Sequence, residues 1–593
     1  MERTGERMVF NHFQIWLRGL VRLFGAAGAV VLALSVCATS FTQANAASTI
    51  EITEDLAARD YPLSLAGSYL AALSANKARD LGAAALFFDR ALAADPDNKA
   101  LIERAFLLQL ADGQVEASAK LTPTILANDP KNRFARMVLG VTALREKSFK
   151  KAAKEFEQVE EGPLARLTGT LLLAWTLASD KNYDGALDLL NKLEGPQWYD
   201  TFRLYHSGLI AEAGGKTEAA ATFLKAAYDA DPNVIRTAEA LARFNLRNGK
   251  DVEGKALVDA MRGQLSNRPS IEGLAAEIAR GEKPKRHVMT EMQGAMEVLF
   301  GLGSAIGREG GEEIAYVYLS LAAYLDPGNA LPRLALGDLL EADERHQRAI
   351  ENYMAIDPSS VYKTNALLRT AFGYNALDQV GKARSVLDDL LIKHPTDLVI
   401  ISAYANILRA RELFDESRIM YSKAIDLIKA APEAANWSLF YSRGITNERT
   451  DRWSEAEADF RMALTLAPDQ PDVLNYLGYS LIDKGMKYQE ALEMIKKAVE
   501  RRPEDAFIID SLGWAYFKLK DYDNAVLNLE RAVELRPQDP ILNDHLGDAY
   551  WHVGRRLEAI FQWSHARDLK PTPEDLPHIV EKIEKGYVPK KNG

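Results

Sequence analysis

The sequence contains one cysteine in 593 residues, Cys37, which lies near the N-terminus. One cysteine forms no disulfide within the chain and supplies too few thiolates for a structural zinc site. Basic side chains are outnumbered as well, with 72 lysines and arginines against 83 acidic residues and a formal net charge of −11. Because an acidic chain without a basic stripe attracts no phosphate backbone, the composition argues against nucleic-acid binding.

Long apolar runs are scarce. The uncharged apolar stretch at residues 23–36 has fourteen residues and follows Arg18 and Arg22. It is shorter than the ~20 residues of a membrane-spanning helix and has the length of a signal-peptide core. The sequence Ala44-Asn45-Ala46 fits a cleavage site, so we predict a signal peptide over 1–46 and a mature start at Ala47. Its removal takes away four arginines and two glutamates, which changes the formal net charge to −13.

Two other fates of the N-terminal segment stay open. The sequence Leu34-Ser35-Val36-Cys37 resembles a lipoprotein box, although this box has a small residue where Val36 stands. A lipid on Cys37 or an uncleaved leader would anchor the chain to a membrane, and we expect membrane contact only in those cases. Cleavage after Ala46 instead leaves an exported chain without cysteine.

Two neighbouring segments near the C-terminus repeat one pattern at a spacing of thirty-four residues. The first has Leu-Gly-Trp-Ala-Tyr at 512–516, and the second has Leu-Gly-Asp-Ala-Tyr at 546–550. An alanine, a bulky residue, an alanine and a proline follow at matching distances: Ala525, Leu529, Ala532 and Pro537, then Ala559, Trp563, Ala566 and Pro571. Such recurrence is typical of a helical-repeat array.

The pattern extends back through most of the chain. The eighth position of fourteen units holds a small residue in every unit except the one with Phe106: Ala72, Phe106, Gly140, Ala174, Gly208, Ala242, Gly303, Gly337, Ala371, Ala405, Gly444, Gly478, Gly513 and Gly547. Small residues let the two helices of a hairpin cross closely, and the proline stops the second helix. The bulky residue is expected to fill the gap between hairpins.

This pattern resembles the tetratricopeptide repeat (TPR). The resemblance implies an all-α superhelical solenoid of about fourteen helical hairpins in two blocks with a C-terminal capping helix. From Ala242 to Gly303 the register lengthens to sixty-one residues. We therefore predict six repeats over 47–264, a linker over 265–292 and eight repeats over 293–571. Residues 572–593 are predicted to form the cap and tail, with an apolar stripe at Leu576, Ile579, Val580 and Ile583.

The TPR resemblance also implies a candidate protein-binding groove, because the first helix of each hairpin lines the concave surface in that family. The predicted groove residues are Trp175 in the first block and Tyr479, Asp510, Trp514, Phe517, Asp544, Asp548 and Trp551 in the last three units. An apolar groove with an acidic rim suits partner segments that carry hydrophobic anchors and basic residues. The alternative is that these aromatic residues form core between repeats.

The sequence offers little for catalysis. It has no nucleophile elbow and no zinc-protease helix, and the repeats leave no room for a catalytic domain. His545, Asp548 and His552 share one helical face and could present two imidazoles and a carboxylate to a metal, but no supporting residues are evident. We expect no enzyme activity, no cofactor and no bound metal.

The segments 510–514, 545–555, 302–306 and 321–327 look like those of proteobacterial envelope TPR proteins. Some members of that group are periplasmic adaptors that bind a carboxy-terminal processing protease and deliver cell-wall hydrolases to it. The resemblance implies a periplasmic scaffold or adaptor for cell-envelope homeostasis, with an envelope protease, a cell-wall hydrolase or an assembly factor as partner. The alternative is a TPR component of a polysaccharide-export or outer-membrane assembly complex.

Overall fold

The computed structural model describes residues 64–78, 80–160, 162–264 and 268–587. Across these residues the chain is helical, with thirty α-helices, one short 3₁₀ helix and no strand. The predicted signal peptide, Cys37 and the cleavage site after Ala46 lie outside the described residues. They stay predictions.

The helices follow one another at short intervals. They are α1 (Leu65–Lys77), α2 (Leu81–Ala94), α3 (Lys99–Ala111), α4 (Val115–Asn128), α5 (Arg133–Arg145), α6 (Phe149–Phe156), α7 (Pro163–Ser179), α8 (Tyr183–Asn191), α9 (Tyr199–Ala213), α10 (Thr217–Ala230), α11 (Ile235–Arg247), α12 (Asp251–Gln264), α13 (Pro269–Ala279), α14 (Glu291–Arg308), α15 (Glu312–Leu325), α16 (Ala330–Ala342), α17 (His346–Met354), α18 (Lys363–Ala376), α19 (Val380–Lys393), α20 (Leu398–Ala410), α21 (Phe414–Ile428), α22 (Trp437–Arg449), α23 (Trp453–Leu466), α24 (Pro471–Asp483), α25 (Tyr488–Arg501), α26 (Ala506–Lys518), α27 (Tyr522–Leu535), α28 (Pro540–His552), α29 (Arg556–Asp568) and α30 (Leu576–Lys585). Six pairs, α1–α2 to α11–α12, and eight pairs, α14–α15 to α28–α29, match the fourteen units of the register. The predicted all-α TPR-type solenoid is confirmed.

The eighth-position glycines lie under the bulky residue of the same hairpin. A Cβ on Gly513 would come within 2.6 Å of the Leu529 side chain, and one on Gly547 within 2.5 Å of Trp563. The same crossing brings Gly337 against the Tyr353 ring. The bulky residue therefore packs within its own hairpin, because the second helix runs back past the first. It also reaches the next hairpin, as expected: the Phe460 ring of α23 lies 5.2 Å from the Tyr476 ring of α24.

The tight crossing at Gly337 predicts opposite effects for two glycine-to-alanine changes. The Tyr353 ring is 1% exposed and its hydroxyl donates to Asp338 at 2.9 Å, so it has little room to move away from a new methyl group. We expect Gly337→Ala to lower the free energy of unfolding by about 2 kcal/mol. The control, Gly273→Ala in α13, has no heavy atom within 4 Å of its Cβ. It should raise stability by about 0.5–1 kcal/mol, because alanine is the better helix former. Denaturant unfolding of both variants checks the pair.

The described chain divides into two compact units, an N-terminal unit up to Val386 and a C-terminal unit from Leu387. This division lies within α19 and not at the linker predicted over 265–292. The described part of that segment contains α13, in which Ile271 and Leu274 are buried against the side chains of α11 and α12. Apolar residues at helical spacing explain why this stretch packs instead of remaining an open connection.

Within the N-terminal unit, α14 and α15 pack across the first helices of the preceding hairpins. Trp175 of α7 is fully buried, and its ring contacts the backbone of α14 at Gly294, where any side chain would overlap it. Tyr318 of α15 is hydrogen-bonded to Thr168 of α7 at 2.9 Å. The inner face of this block is therefore filled by the chain's own helices.

A buried polar network joins α14 to α9 and α11. Glu297 of α14 is 2% exposed and accepts two hydrogen bonds from Arg236, at 2.7 and 2.6 Å, and one from Tyr205, at 2.9 Å. Burial opposes ionisation of Glu297, but Arg236 outweighs it and lowers the pKa of this carboxyl to about 2. Next to it, His206 Nδ1 accepts a hydrogen bond from Trp175 Nε1 at 3.0 Å.

This network predicts acid sensitivity of the N-terminal unit. Burial lowers the pKa of His206 to about 4, and burial together with Arg236 lowers the pKa of His287 to about 4. Below pH 6.5 the unfolded chain binds these protons more readily than the folded chain, so stability is lost as the pH falls from 6.5 towards 4. His206 alone accounts for roughly 3 kcal/mol over that range.

The histidine contribution can be isolated with a conservative variant. We expect His206→Gln, which offers an oxygen to Trp175 but does not titrate, to flatten the decline in unfolding free energy between pH 6.5 and 4. The exposed His394→Gln should retain the wild-type profile. Thermal or denaturant unfolding at half-unit pH steps gives the comparison. Identical slopes for His206→Gln and wild type would show that His206 is not the responsible group.

Candidate protein-binding groove

The last three hairpins, α24–α29, carry seven of the predicted groove residues. We call this surface the C-terminal groove and define it by Tyr479, Asp510, Trp514, Phe517, Asp544, Asp548 and Trp551. The terminal helix α30 and the residues just after it contact four of these residues, Phe517, Asp544, Asp548 and Trp551. Ile579 of α30 is buried in one cluster with Phe517, Leu546 and Trp563. This part of the groove is thus occupied by a helix of the same chain.

The centre of this contact is a lysine held between two carboxylates. Lys582 of α30 is 2% exposed, and its Nζ lies 2.9 Å from both oxygens of Asp544 and 2.7 and 2.8 Å from those of Asp548. Asp548 also accepts a hydrogen bond from Trp563 Nε1 at 2.9 Å. A buried ammonium with this many acceptors is well compensated, whereas one without them is very costly.

Lys582, Asp544 and Asp548 determine one another's protonation states. Burial alone would lower the pKa of Lys582, but the carboxylates of Asp544 and Asp548 outweigh it and raise the pKa above its ordinary value. Burial raises the pKa of Asp548, and Lys582 offsets this only in part because Asp544 is close by. The pocket therefore favours a cationic group at this point.

Aromatic side chains extend the contact towards the end of the chain. Trp514 stacks on Phe517 with a centroid distance of 4.8 Å and on the His545 ring at 4.1 Å. Tyr587, just after α30, contacts Phe517 at 6.0 Å and His552 at 4.4 Å, both edge to face. Such ring pairs add stabilisation beyond their buried area.

The contact of Lys582 with Asp544 and Asp548 is called the clamp, and Asp510 and His545 form a second buried pair beside it. His545 Nδ1 lies 2.9 Å from Asp510 Oδ1, and both side chains are nearly inaccessible to solvent. Burial opposes protonation of His545, but Asp510, with smaller contributions from Asp544 and Asp548, outweighs it and raises the histidine pKa. The pair holds His545 flat against Trp514.

The predicted groove residues therefore differ in exposure. Trp514 and Trp551 are partly buried, while Tyr479, Asp510, Phe517 and Asp548 are buried. Gly586 lies so close to the Trp551 ring that a side chain there would overlap it. Trp175 does not face an open groove in the structure. It belongs to the core of the N-terminal unit, because α14 covers it.

Sequence reasoning missed Lys582. The apolar stripe predicted for the terminal helix contains Ile579, but Leu576 is 38% exposed and the fully buried position beside Ile579 is a lysine. A signal was available, since Asp544 and Asp548 are like charges four residues apart on one helix. Such a pair is unfavourable unless a cation lies between them.

Neither a metal site nor a membrane-spanning helix is found among the described residues. No group of three or more histidine, cysteine, aspartate or glutamate side chains there is arranged to hold a metal ion. In the sequence-proposed set, His545 contacts Asp510, and His552 Nδ1 lies 2.8 Å from the Asp548 carbonyl oxygen. None of the described helices has both the length and the apolar character needed to cross a bilayer.

The fold and the groove define a TPR-type solenoid, and repeats of this type generally mediate protein–protein contacts and are generally non-catalytic. Residues 513–554 match the family model described as "TPR repeat". The chain is similar to the TPR repeat-containing protein PA4667 of Pseudomonas aeruginosa, with 30% identity over 189 residues. That alignment covers 31% of this chain and 30% of the relative, so the chain spans less than a third of that relative's length.

Solved structures with a similar course of the chain include an APC/C Cut9–Hcn1 hetero-tetramer, with a TM-score of 0.37 and 14% identity over 90% of this chain and 97% of that one. Yeast Tom70 has a TM-score of 0.35 and 15% identity over 71% and 95% of the two chains. YrrB, described as a TPR protein with an unusual peptide-binding site, has a TM-score of 0.27 and 20% identity over 33% and 97%. At these values the likeness carries no argument about function.

Proposed function

We propose that this chain is a periplasmic protein-binding scaffold that acts as an adaptor, recruiting substrates to an envelope protease. The leader-like segment 1–46 supports export, and the TPR-type hairpins support a role in holding proteins. The resemblance of the C-terminal repeats to envelope TPR adaptors supports the choice of partner. The chain itself supplies no chemistry in this proposal.

The observation that carries the binding role is the clamp on Lys582. The C-terminal groove accepts a helix, buries one lysine of it between Asp544 and Asp548, and packs an isoleucine one turn earlier against its aromatic wall. A partner helix with an aliphatic residue three positions before a lysine has the same chemistry. We propose that α30 occupies the site in cis and that such a partner helix displaces it.

The length of the connection to α30 fits a tethered competitor. Only residues 569–575 separate α29 from α30. A short tether holds a segment at an effective concentration in the millimolar range. A partner helix must therefore bind the groove more strongly than the tethered α30 does. This competition makes binding selective for helices that fill the clamp well.

Affinity recovery from an envelope extract tests the adaptor role. The mature chain, which begins at residue 47, is tagged at its N-terminus and immobilised. It should recover a carboxy-terminal processing protease or a cell-wall enzyme. Replacing Trp514 and Trp551 by alanine should reduce that recovery while the helical content stays intact. Recovery of neither class by the wild-type chain would contradict the adaptor proposal.

The export proposal has its own test. Fractionation of cells that express the full chain, followed by N-terminal sequencing, should find the protein in the periplasm with Ala47 as its first residue. If Cys37 carries a lipid, or if the intact leader is found in the membrane fraction, the protein is anchored to the membrane and is not a soluble periplasmic form.

A further inference from the structure

A pocket of about 440 Å³ lies within the N-terminal unit, where the turn between α3 and α4 meets α15, α16 and α17. Ser320 of α15 donates a hydrogen bond to the Ala111 carbonyl oxygen at 3.2 Å. Arg348 of α17 forms an ion pair with Asp112. These contacts join distant hairpins of one unit and hold the walls of the pocket in place. We call it the arginine pocket.

More basic than acidic side chains line the pocket. The arginines are Arg145, Arg333, Arg345 and Arg348, and the acids are Asp112, Glu116 and Glu351. Every one of these acids has an arginine beside it: Arg348 contacts Asp112 and, at 3.0 Å, Glu351, while Arg145 lies 3.7 Å from Glu116. The acids are thus neutralised within the wall, and the pocket carries an excess of positive charge.

Arg333 is the source of that excess. Among the described residues it makes no ion pair and no hydrogen bond, and its Nε is buried without an acceptor. Arg345 also has a buried Nε without an acceptor, but its charge is paired with Asp80 at 3.6 Å and its terminal nitrogen donates to the Ala78 carbonyl oxygen at 2.8 Å. Buried donors without partners are costly, so a ligand that satisfies them gains affinity. A guanidinium suits a carboxylate in particular, because its parallel N–H groups match the two oxygens.

The rest of the wall is mixed, with polar Ser320 and Asn352 and an apolar part. Leu336 and Leu340 of α16 line the pocket beside the rings of Tyr316 and Tyr324. The volume lies in the range of small-molecule sites. An α-helix, about 10 Å across with its side chains, is too thick to enter. The occupant is therefore small or extended, with one anionic end and one apolar end.

We propose that the arginine pocket binds a small carboxylate carried on an apolar or aromatic group, with Arg333 as the carboxylate ligand and α16 as the apolar wall. This site is separate from the C-terminal groove and does not depend on its function. A carboxylate next to an apolar group can come from two kinds of molecule, a free organic acid or the C-terminal end of a peptide.

Calorimetric titration of the mature chain with phenylacetate tests the proposal. We expect a dissociation constant below about 1 mM for the wild type, which is typical of a fragment of this size. Arg333→Gln should weaken binding at least tenfold, because Arg333 has no described partner whose loss would disturb the fold. Arg104→Gln, which removes an exposed positive charge from the same unit, should leave binding unchanged. Unchanged affinity in Arg333→Gln, or no binding to the wild type, would overturn the proposal.

Two further ligands complete the test. Neutral phenylacetamide should not bind, and binding as tight as that of phenylacetate would overturn the role of the carboxylate. N-acetyl-alanyl-phenylalanine with a free carboxylate distinguishes the sources. Tighter binding of this dipeptide than of phenylacetate assigns the pocket to a peptide end, and weaker binding assigns it to a free acid.

Discussion

Replacing Lys582 by alanine should release α30 from the C-terminal groove. The change leaves Asp544 and Asp548 facing each other without a cation, and breaking a buried ion pair in this way costs about 3–5 kcal/mol. Because Ile579 is the one other fully buried side chain of α30, the helix has little else to keep it docked. In hydrogen exchange we expect residues 576–587 to lose their protection, while α26–α29 keep most of theirs.

The matched control is Lys585→Ala. Lys585 belongs to the same helix and forms an exposed pair with Glu581 at 3.1 Å, so its removal takes away a lysine but no buried contact. Exchange in α30 should then remain at the wild-type level. Equal protection of α30 in Lys582→Ala and Lys585→Ala would mean that the clamp does not hold the helix.

Replacing Glu297 by alanine should loosen α14 within the N-terminal unit. The variant removes both acceptors of the Arg236 hydrogen bonds, leaving this half-buried cation only the longer 3.6 Å contact with Glu239, and it removes the acceptor of the Tyr205 hydroxyl. We expect the free energy of unfolding of this unit to fall by about 3–5 kcal/mol. Limited proteolysis should show new cleavage around α14, and Trp175 fluorescence should shift as water reaches its ring.

Glu282→Ala serves as the control for that variant. Glu282 is an exposed acid of the same unit and pairs with Arg280 at the surface. Its loss should leave unfolding and proteolysis unchanged. A Glu297→Ala protein as stable as this control would show that the network contributes nothing to closing the inner face of the block.

The hairpin register was predictable because it depends on local sterics. Each unit repeats a small residue where two helices cross, because a larger side chain would destabilise the hairpin at every crossing. Gly513 under Leu529 and Gly547 under Trp563 are therefore visible in sequence as a period of thirty-four residues. The contact of the bulky side chain with the small residue of its own hairpin was missed, since spacing alone does not say which neighbouring helices it reaches.

The occupants of the inner surfaces were not predictable in this way. Trp175 and Gly294 are far apart in sequence, and no periodic signal links α7 to α14. Asp544 and Lys582 are likewise contributed by separate elements, and a lysine in an otherwise polar helix usually points to solvent. Contacts of this kind depend on how hairpins curve, which the repeat pattern does not encode.

The covering of the C-terminal groove changes what the predicted site residues mean. Phe517 and Trp551 are neither freely exposed nor simply core between repeats, because they contact a terminal segment on a short tether, and Trp514 stacks on Phe517 behind them. Asp544 and Asp548, which looked like part of a rim, form the clamp itself, while Asp510 pairs with His545. The chemistry expected of a partner, apolar anchors with a basic residue, is the chemistry that α30 supplies.

Binding of a free α30 peptide tests this account most directly. A labelled peptide of residues 570–593 is titrated with the Lys582→Ala chain and with wild type, and fluorescence anisotropy is recorded. We expect at least tenfold tighter binding to Lys582→Ala, because its tethered helix competes poorly, and loss of binding when Asp544 and Asp548 are also changed to asparagine. Equal affinities for wild type and Lys582→Ala, or binding that survives the double asparagine change, would contradict a helix-binding groove occupied in cis.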